Sequence, residues 1–481
     1  MLEKSVKSQV ILALKWTAAA RFTGQMITWA ITIVVIRLLS PGDYGLVATA
    51  GILIGFAGLV QELGLIPALV QAKDVDETRI RQVFGFILIS NIVIFGILFL
   101  ISPYFALFFG QPELENIIRV LGITFLISAL SSVPVAMLRR ELKLKVISLV
   151  ELCATVLGSL ATLGLAYSGY GVWALVLGNV LTAAASTIIF LAVTRFHAMP
   201  IFSLSGMREM AIFGANVTLS RTIWYFGGQA DVMLIGKFLG NEMLGIYSVV
   251  NHLASMPLSK LMGIVNQIAF PAFCKIQEDK DQCREYFLLS AQLISLVTFP
   301  LLWGLSSVSP EFIHVFLGSN WAEASIVLML IPLIVPLKSL DMILSPMLEG
   351  IGHPEITLRN VITRSVVLPI LILAGINLGI VGVSALYAAG YLPVLYLNCR
   401  RSLKQLDTNC WELFLRLRTI ILCSGMMYLA VYVSKVTFLA DLGVAWRLSG
   451  SIIVGALVFG GLSWLFNRRV LMDVVSLVRN R

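Results

Sequence analysis

The chain has 481 residues, of which 58% are hydrophobic and only 13% charged, and its mean hydropathy is +0.92. Soluble domains carry about 25% charged residues, so the composition excludes a soluble domain and points to a polytopic membrane protein. The formal net charge of +9 is spread in short basic bursts between apolar stretches, the distribution of membrane topology signals and not of a nucleic-acid surface.

A bilayer-spanning helix needs about 20 mostly apolar residues, and fourteen candidates follow one another along the chain. The first runs over 10–36. Lys4, Lys7, an apolar run and Ala18-Ala19-Ala20 give it a faint likeness to a signal peptide, but Lys15 interrupts the run and the hydrophobicity continues to Leu39. It therefore reads as a membrane helix. Arg21 lies about eleven residues inside it, on the order of 16 Å at the helical rise, and shares a face with Gln25. The turn Ser40-Pro41-Gly42-Asp43 leads into 43–70, which carries Glu62. Next come 82–107, 114–138, 145–167 and 171–194, with Arg119 near the start of the fourth helix.

The seventh candidate, 209–236, repeats the first. Arg221 and Tyr225 reproduce Arg21 and Gln25 two hundred residues on, Arg37-Leu38-Leu39-Ser40 becomes Lys237-Phe238-Leu239-Gly240, and Gly45 becomes Gly245. Asp231 falls near the middle of this segment. The eighth, 243–270, places Lys260 deep in the span with His252 two turns earlier. A polar connector, 271–285, precedes 286–308. The tenth, 322–348, holds Lys338 and Asp341 at i, i+3, spaced to neutralise one another, and Glu349 follows at its end. Arg364, in 356–377, lies within two turns of a helix end and can snorkel to the interface, as can Lys15 and Arg119. The spans 379–398, 413–434 and 445–466 complete the series, with a second polar connector at 399–412.

The repeat extends further. Gly164, Gly171-Val172, Ala174 and Leu175 recur as Gly375, Gly382-Val383, Ala385 and Leu386, and Pro134 matches Pro346. Six helices per repeat is an even number, so the halves share an orientation about an axis along the membrane normal. The predicted architecture is all-α, with two pseudo-symmetric six-helix lobes at 1–200 and 201–400, then two extra helices and a basic cytoplasmic tail in 401–481. With the N-terminus inside, the inner loops and tails hold 24 Lys and Arg residues against 4 outside, Arg37, Lys237, Lys435 and Arg447. This asymmetry predicts cytoplasmic termini.

A charge in the bilayer core usually faces a cavity. Arg21 and Arg221, at equivalent positions of the repeat, predict two lobes facing one cationic cavity; the bland reading is a structural ion pair between helices. Glu62, Asp231 and Asp341, with Lys338 beside the last, are candidates for coupling to protons or sodium. Enzyme signals are weak. Asp279-Lys280-Asp281 fits a metal-binding DxD pattern but lies in a short charged connector and reads as solvated surface. There is no GxxxxGK[ST] loop and no HExxH, and His197, His252, His314 and His353 are scattered. The six cysteines lack metal-ligand spacing and read as free thiols. No cofactor and no metal is expected.

The runs RLLSPGDYGLVA (37–48), QELGLIPALVQ (61–71), MLRRELKLK (137–145) and GYGVWALVLGNVL (169–181) resemble bacterial polysaccharide transporters. These are the Wzx-type flippases of the multidrug/oligosaccharidyl-lipid/polysaccharide exporter superfamily, and the resemblance is to their colanic-acid-exporter-like branch. It is strong over 1–200 and continues to about 400 through the repeat. It implies a V-shaped transporter that flips an undecaprenyl-diphosphate-linked oligosaccharide to the periplasmic leaflet by alternating access. Cations in the cavity would hold the diphosphate-sugar headgroup, here Arg21 and Arg221 with Gln25, Tyr225 and Lys260. It implies membrane lipid, a polysaccharide polymerase and glycosyltransferases as partners, and no nucleic acid. The alternatives are a multidrug or small-molecule antiporter of the same superfamily, a membrane glycosyltransferase or polymerase, and a peptidoglycan-precursor flippase.

Overall fold

The structure, a computed structural model, describes residues 24–61, 69, 76–141, 143–196, 198–202, 225 and 227–468. In chain order the helices are α1 (Gly24–Leu38), α2 (Pro41–Gln61), α3 (Glu77–Phe109), α4 (Glu113–Arg140), α5 (Leu144–Tyr167), α6 (Val172–Thr194) and α7 (227–238). They continue with α8 (Gly240–Ile276), α9 (Lys280–Ser307), α10 (Ala324–Gly350), α11 (Pro354–Gly375), α12 (Gly379–Leu403), α13 (Cys410–Val436) and α14 (Val444–Phe466). No strand occurs among the described residues. Among the described residues ten helical runs are long and apolar enough to cross a membrane, and one of them, Pro354–Leu406, contains both α11 and α12. The chain is a multi-pass, all-helical membrane protein.

Local chemistry sets the ends of these helices. Ser40 and Asp43 cap α2 reciprocally: the Asp43 carboxylate accepts from the Ser40 N–H at 2.9 Å, and the Ser40 hydroxyl accepts from the Asp43 N–H at 3.2 Å. Pro41, in the first turn, loses nothing by lacking an N–H there. Asp279 caps α9 through the Gln282 N–H at 2.9 Å, so that helix starts at Lys280 and not at 286 as hydropathy alone suggests. The apparent DxD pattern is therefore a cap followed by the first turn, with Lys280 bound to Asp407 and Arg284 to Asp281. Asn409 caps α13 in the same way.

The chain forms two compact units, Met1–Glu242 and Met243–Arg481. In the first, α3 packs on α4, α5 on α6, and α4 on α6. Its core joins Leu46, Ala50 and Ile52 of α2 to Ile94 and Leu98 of α3, Ile117, Ile118 and Phe125 of α4, and Val176 of α6. In the second unit the same pairings recur six helices later, α9 on α10, α11 on α12, and α10 on α12. The repeat seen in the sequence is thus a repeat of packing, and α13 and α14 join the second unit through α9. Many side chains on the outside are apolar, among them Leu107 at 81% and Leu457 at 71% exposure, as contact with lipid tails requires.

Candidate functional site

Two carboxylates of the second unit are buried, Glu311 and Asp341, and Asp341 is the one inside a long membrane helix. It lies nine residues from the Gly350 end of α10, about 14 Å at the helical rise, and is 7% exposed. Its Oδ2 accepts from Arg364 Nη1 of α11 at 3.0 Å and from the Tyr391 hydroxyl of α12 at 3.3 Å. Its Oδ1 accepts from Asn398 Nδ2, also of α12, at 2.9 Å. Tyr391 and Asn398 are seven residues apart, two helical turns, and so share a face. Gly390 lets α11 and α12 approach: a Cβ there would stand 1.9 Å from Leu371 Cδ1. Below the carboxylate the Ser402 hydroxyl donates to the Asn398 carbonyl at 2.7 Å and accepts from Asn360 at 3.0 Å. Three helices thus converge on one ion pair whose carboxylate is met by three donors.

This geometry revises two expectations. The partner of Asp341 is Arg364, not Lys338. Lys338 points its ammonium over the Tyr387 ring, 4.6 Å from the centroid. Arg364 does not snorkel away; it reaches across to α10. Sequence reasoning also missed Tyr391 and Asn398. Their two-turn spacing on a helix that packs against α10 was the available signal.

In the first unit the Tyr225 hydroxyl donates to backbone carbonyls of α2, at 2.8 Å to Ile52 and 3.2 Å to Gly51. Gly55 makes room for it, since a Cβ there would lie 2.3 Å from the hydroxyl oxygen. Gln25 is half-buried near the start of α1. Asp231 is half-buried in α7, and its Oδ1 accepts from the Val232 N–H at 2.9 Å. Nearby on α2, Gln61 Nε2 donates to the Ser128 hydroxyl at 2.7 Å. Arg21, Glu62 and Arg221 lie outside the described residues. For Lys260 the helix is described and the side chain is not.

Three further cations among the described residues have local partners. Arg119 binds Glu115 at 2.7 Å and sits 4.2 Å over the Phe99 ring. Lys237 donates to the Phe108 carbonyl. Lys435, in the last turn of α13, meets Glu311 at 2.6 Å and the Ser307 carbonyl at 3.0 Å, and Glu311 is buried. Among the described residues no three His, Cys, Asp or Glu side chains converge as metal ligands would.

Residues 34–326 match the sequence profile of a family described as polysaccharide biosynthesis protein. The chain is similar to teichuronic acid biosynthesis protein TuaB of Bacillus subtilis (strain 168), with 34% identity over 272 residues, 56% of each chain. Lipopolysaccharide biosynthesis protein WzxC of Escherichia coli (strain K12) is 24% identical over 397 residues, 82% of this chain and 80% of that one. In fold the chain is similar to the lipid II flippase MurJ in an inward closed conformation, with a TM-score of 0.73 at 15% identity over 95% of this chain and 99% of that one. It is also similar to an inward-facing multidrug resistance MATE family transporter of the MOP superfamily, with a TM-score of 0.62 at 18% identity over 81% of this chain and 98% of that one.

Proposed function

The chain belongs to the polysaccharide biosynthesis protein family, and from that membership we propose that it flips lipid-linked oligosaccharide repeat units across the bacterial inner membrane. The substrate is an undecaprenyl-diphosphate-linked repeat unit, moved from the cytoplasmic to the periplasmic leaflet for O-antigen, capsule or exopolysaccharide synthesis. The observation that carries this reading is the match to WzxC across 82% of the chain, with TuaB beside it, relatives named for lipopolysaccharide and teichuronic acid biosynthesis. Both termini are cytoplasmic in this reading, which the 24-to-4 distribution of basic residues supports. The lobes are 1–200 and 201–400, and a polymerase and glycosyltransferases work on the same lipid.

In this reading Arg21 and Arg221 take the diphosphate, with Gln25, Tyr225 and Lys260 supporting the headgroup. A guanidinium binds phosphate oxygens through two parallel, charge-assisted hydrogen bonds, which a lysine cannot reproduce. Coupling to an ion gradient runs through carboxylates in the spans, Asp341 with its neighbour Lys338, Asp231 and Glu62. Asp341 is the best supported of these. Protonating it would remove the counter-charge of Arg364 and loosen α11 from α10, and alternating access requires a step of that kind, with different stability in two states. The MATE likeness is one of fold, and two deep arginines repel the cationic substrates of a multidrug antiporter.

Purified protein in proteoliposomes tests the proposal. A polyprenyl-diphosphate-linked oligosaccharide with a fluorescent sugar should cross the bilayer, read by a membrane-impermeant quencher. Arg21→Ala and Arg221→Ala should slow the crossing. A rate equal to that of protein-free vesicles removes the transport reading, and wild-type rates in both variants remove the arginines from the site.

A further inference from the structure

A groove of about 970 Å³ opens among the ends of α9, α13 and α14 in the second unit. Its charged lining is Glu285 of α9, Arg416 and Arg418 of α13, and Arg468 just beyond α14. Glu285 is already matched: Arg416 Nη2 donates to both of its oxygens, at 2.8 and 2.7 Å. Arg418, which is exposed, and Arg468, 5.4 Å from the Trp464 ring, remain as the net cationic lining of the groove.

The frame of the groove is fixed by polar ties. The Thr419 hydroxyl donates to Asn467 Oδ1 at 2.7 Å, joining α13 to the end of α14. Gln292 Nε2 donates to the Arg416 carbonyl at 3.1 Å, joining α9 to α13. Beside the two arginines the last turn of α14 presents Leu465, 72% exposed, and Phe466, 64% exposed, both of which line the groove. Guanidiniums above an exposed apolar and aromatic turn at a helix end match the head and upper chain of a membrane lipid.

We propose that this groove binds an anionic phospholipid of the inner leaflet, its phosphate on Arg418 and Arg468 and its acyl chains along Leu465 and Phe466. The proposal rests on the topology given above, which puts these helix ends at the cytoplasmic surface, where anionic lipids draw basic residues. None of these side chains belongs to the set assigned to the transported headgroup. The bound lipid would brace α13 and α14 against α9, in addition to the polar ties.

Native mass spectrometry of the full chain in detergent tests it, with phosphatidylglycerol, phosphatidylcholine of the same acyl chains, and glycerol phosphate as probes. Phosphatidylglycerol should bind more tightly than phosphatidylcholine. Arg418→Gln and Arg468→Gln should each weaken it about fivefold, from about 1 kcal/mol per basic residue at an anionic surface. Arg359→Gln, an exposed arginine of α11 outside the groove, should leave it unchanged. Glu285→Gln removes the one carboxylate in the lining and should strengthen binding, a change that misfolding cannot imitate. Equal binding of the two lipids, an unchanged affinity in the Arg418→Gln, Arg468→Gln double variant, or weaker binding in Glu285→Gln overturns the proposal. Displacement by glycerol phosphate at the same concentration as by phosphatidylglycerol also overturns it, since the site would then hold a free anion and not a lipid. The readout is lipid binding, so its failure leaves the transport reading untouched.

Discussion

Asp341 and Arg364, 23 residues apart on successive helices, form an ion pair at 3.0 Å with the carboxylate 7% exposed. Removing one partner strands the other in a poorly solvated place. Asp341→Ala should destabilise the protein by about 3–5 kcal/mol, and the Asp341→Ala, Arg364→Ala pair by less than the sum of the two single changes. Thermal unfolding in detergent checks this as a double-mutant cycle. Additive single effects would show that the pair carries no coupling.

Lys338 gives the contrasting case. Its ammonium faces the Tyr387 ring and no carboxylate within ion-pair distance among the described residues. Lys338→Met should therefore cost about 1 kcal/mol or less, the scale of a cation–π contact. A loss as large as that of Asp341→Ala would restore the i, i+3 pairing that the sequence suggests.

The sequence carried the helices better than the contacts between them. Hydropathy placed 114–138, 171–194 and 445–466 within two residues of α4, α6 and α14, because a lipid-facing span must be apolar along its whole length. The start of α9 was missed by six residues, since a capping Asp279 followed by charged residues carries no hydropathy signal. The partner of Asp341 was missed for a different reason. Spacing along one helix shows only neighbours on that helix, and Lys338 was the neighbour in view. Arg364 becomes visible as the partner only once α11 is laid against α10, and that depends on packing between helices.

Tyr225 binds α2 through the Gly51 and Ile52 carbonyls. Tyr225→Phe should lower stability by about 1 kcal/mol, the net worth of a hydrogen bond. Gly55→Ala places a methyl 2.3 Å from the hydroxyl oxygen and should be worse. Combining the two changes should recover part of the loss, because the nearest remaining ring atoms would be 3.1 and 3.2 Å away. Melting temperatures of the three variants decide it; no recovery in the double variant would place the Gly55→Ala defect elsewhere.

Asp279 serves as a helix cap, and its replacement should act on stability alone. Asp279→Ala should cost about 1 kcal/mol and leave transport at the wild-type rate once expression is matched. Loss of transport without loss of stability would revive a chemical role for the Asp279-Lys280-Asp281 run.

The topology predicts opposite sides for two exposed connectors. In a cysteine-free background, Asp407→Cys should be shielded from an impermeant maleimide added to intact spheroplasts, and Asp441→Cys should be labelled. The reverse pattern would invert the orientation and with it the assignment of the cytoplasmic surface.

This chain carries lipid-linked repeat units across the membrane. The most direct measurement is the leaflet distribution of polyprenyl-diphosphate-linked oligosaccharide in a strain lacking the gene and any redundant flippase. Repeat units should accumulate on the cytoplasmic leaflet, inaccessible to a glycosidase added outside, and should reach the outer leaflet again when the wild-type chain is restored. An unchanged distribution in the deletion strain would contradict the account.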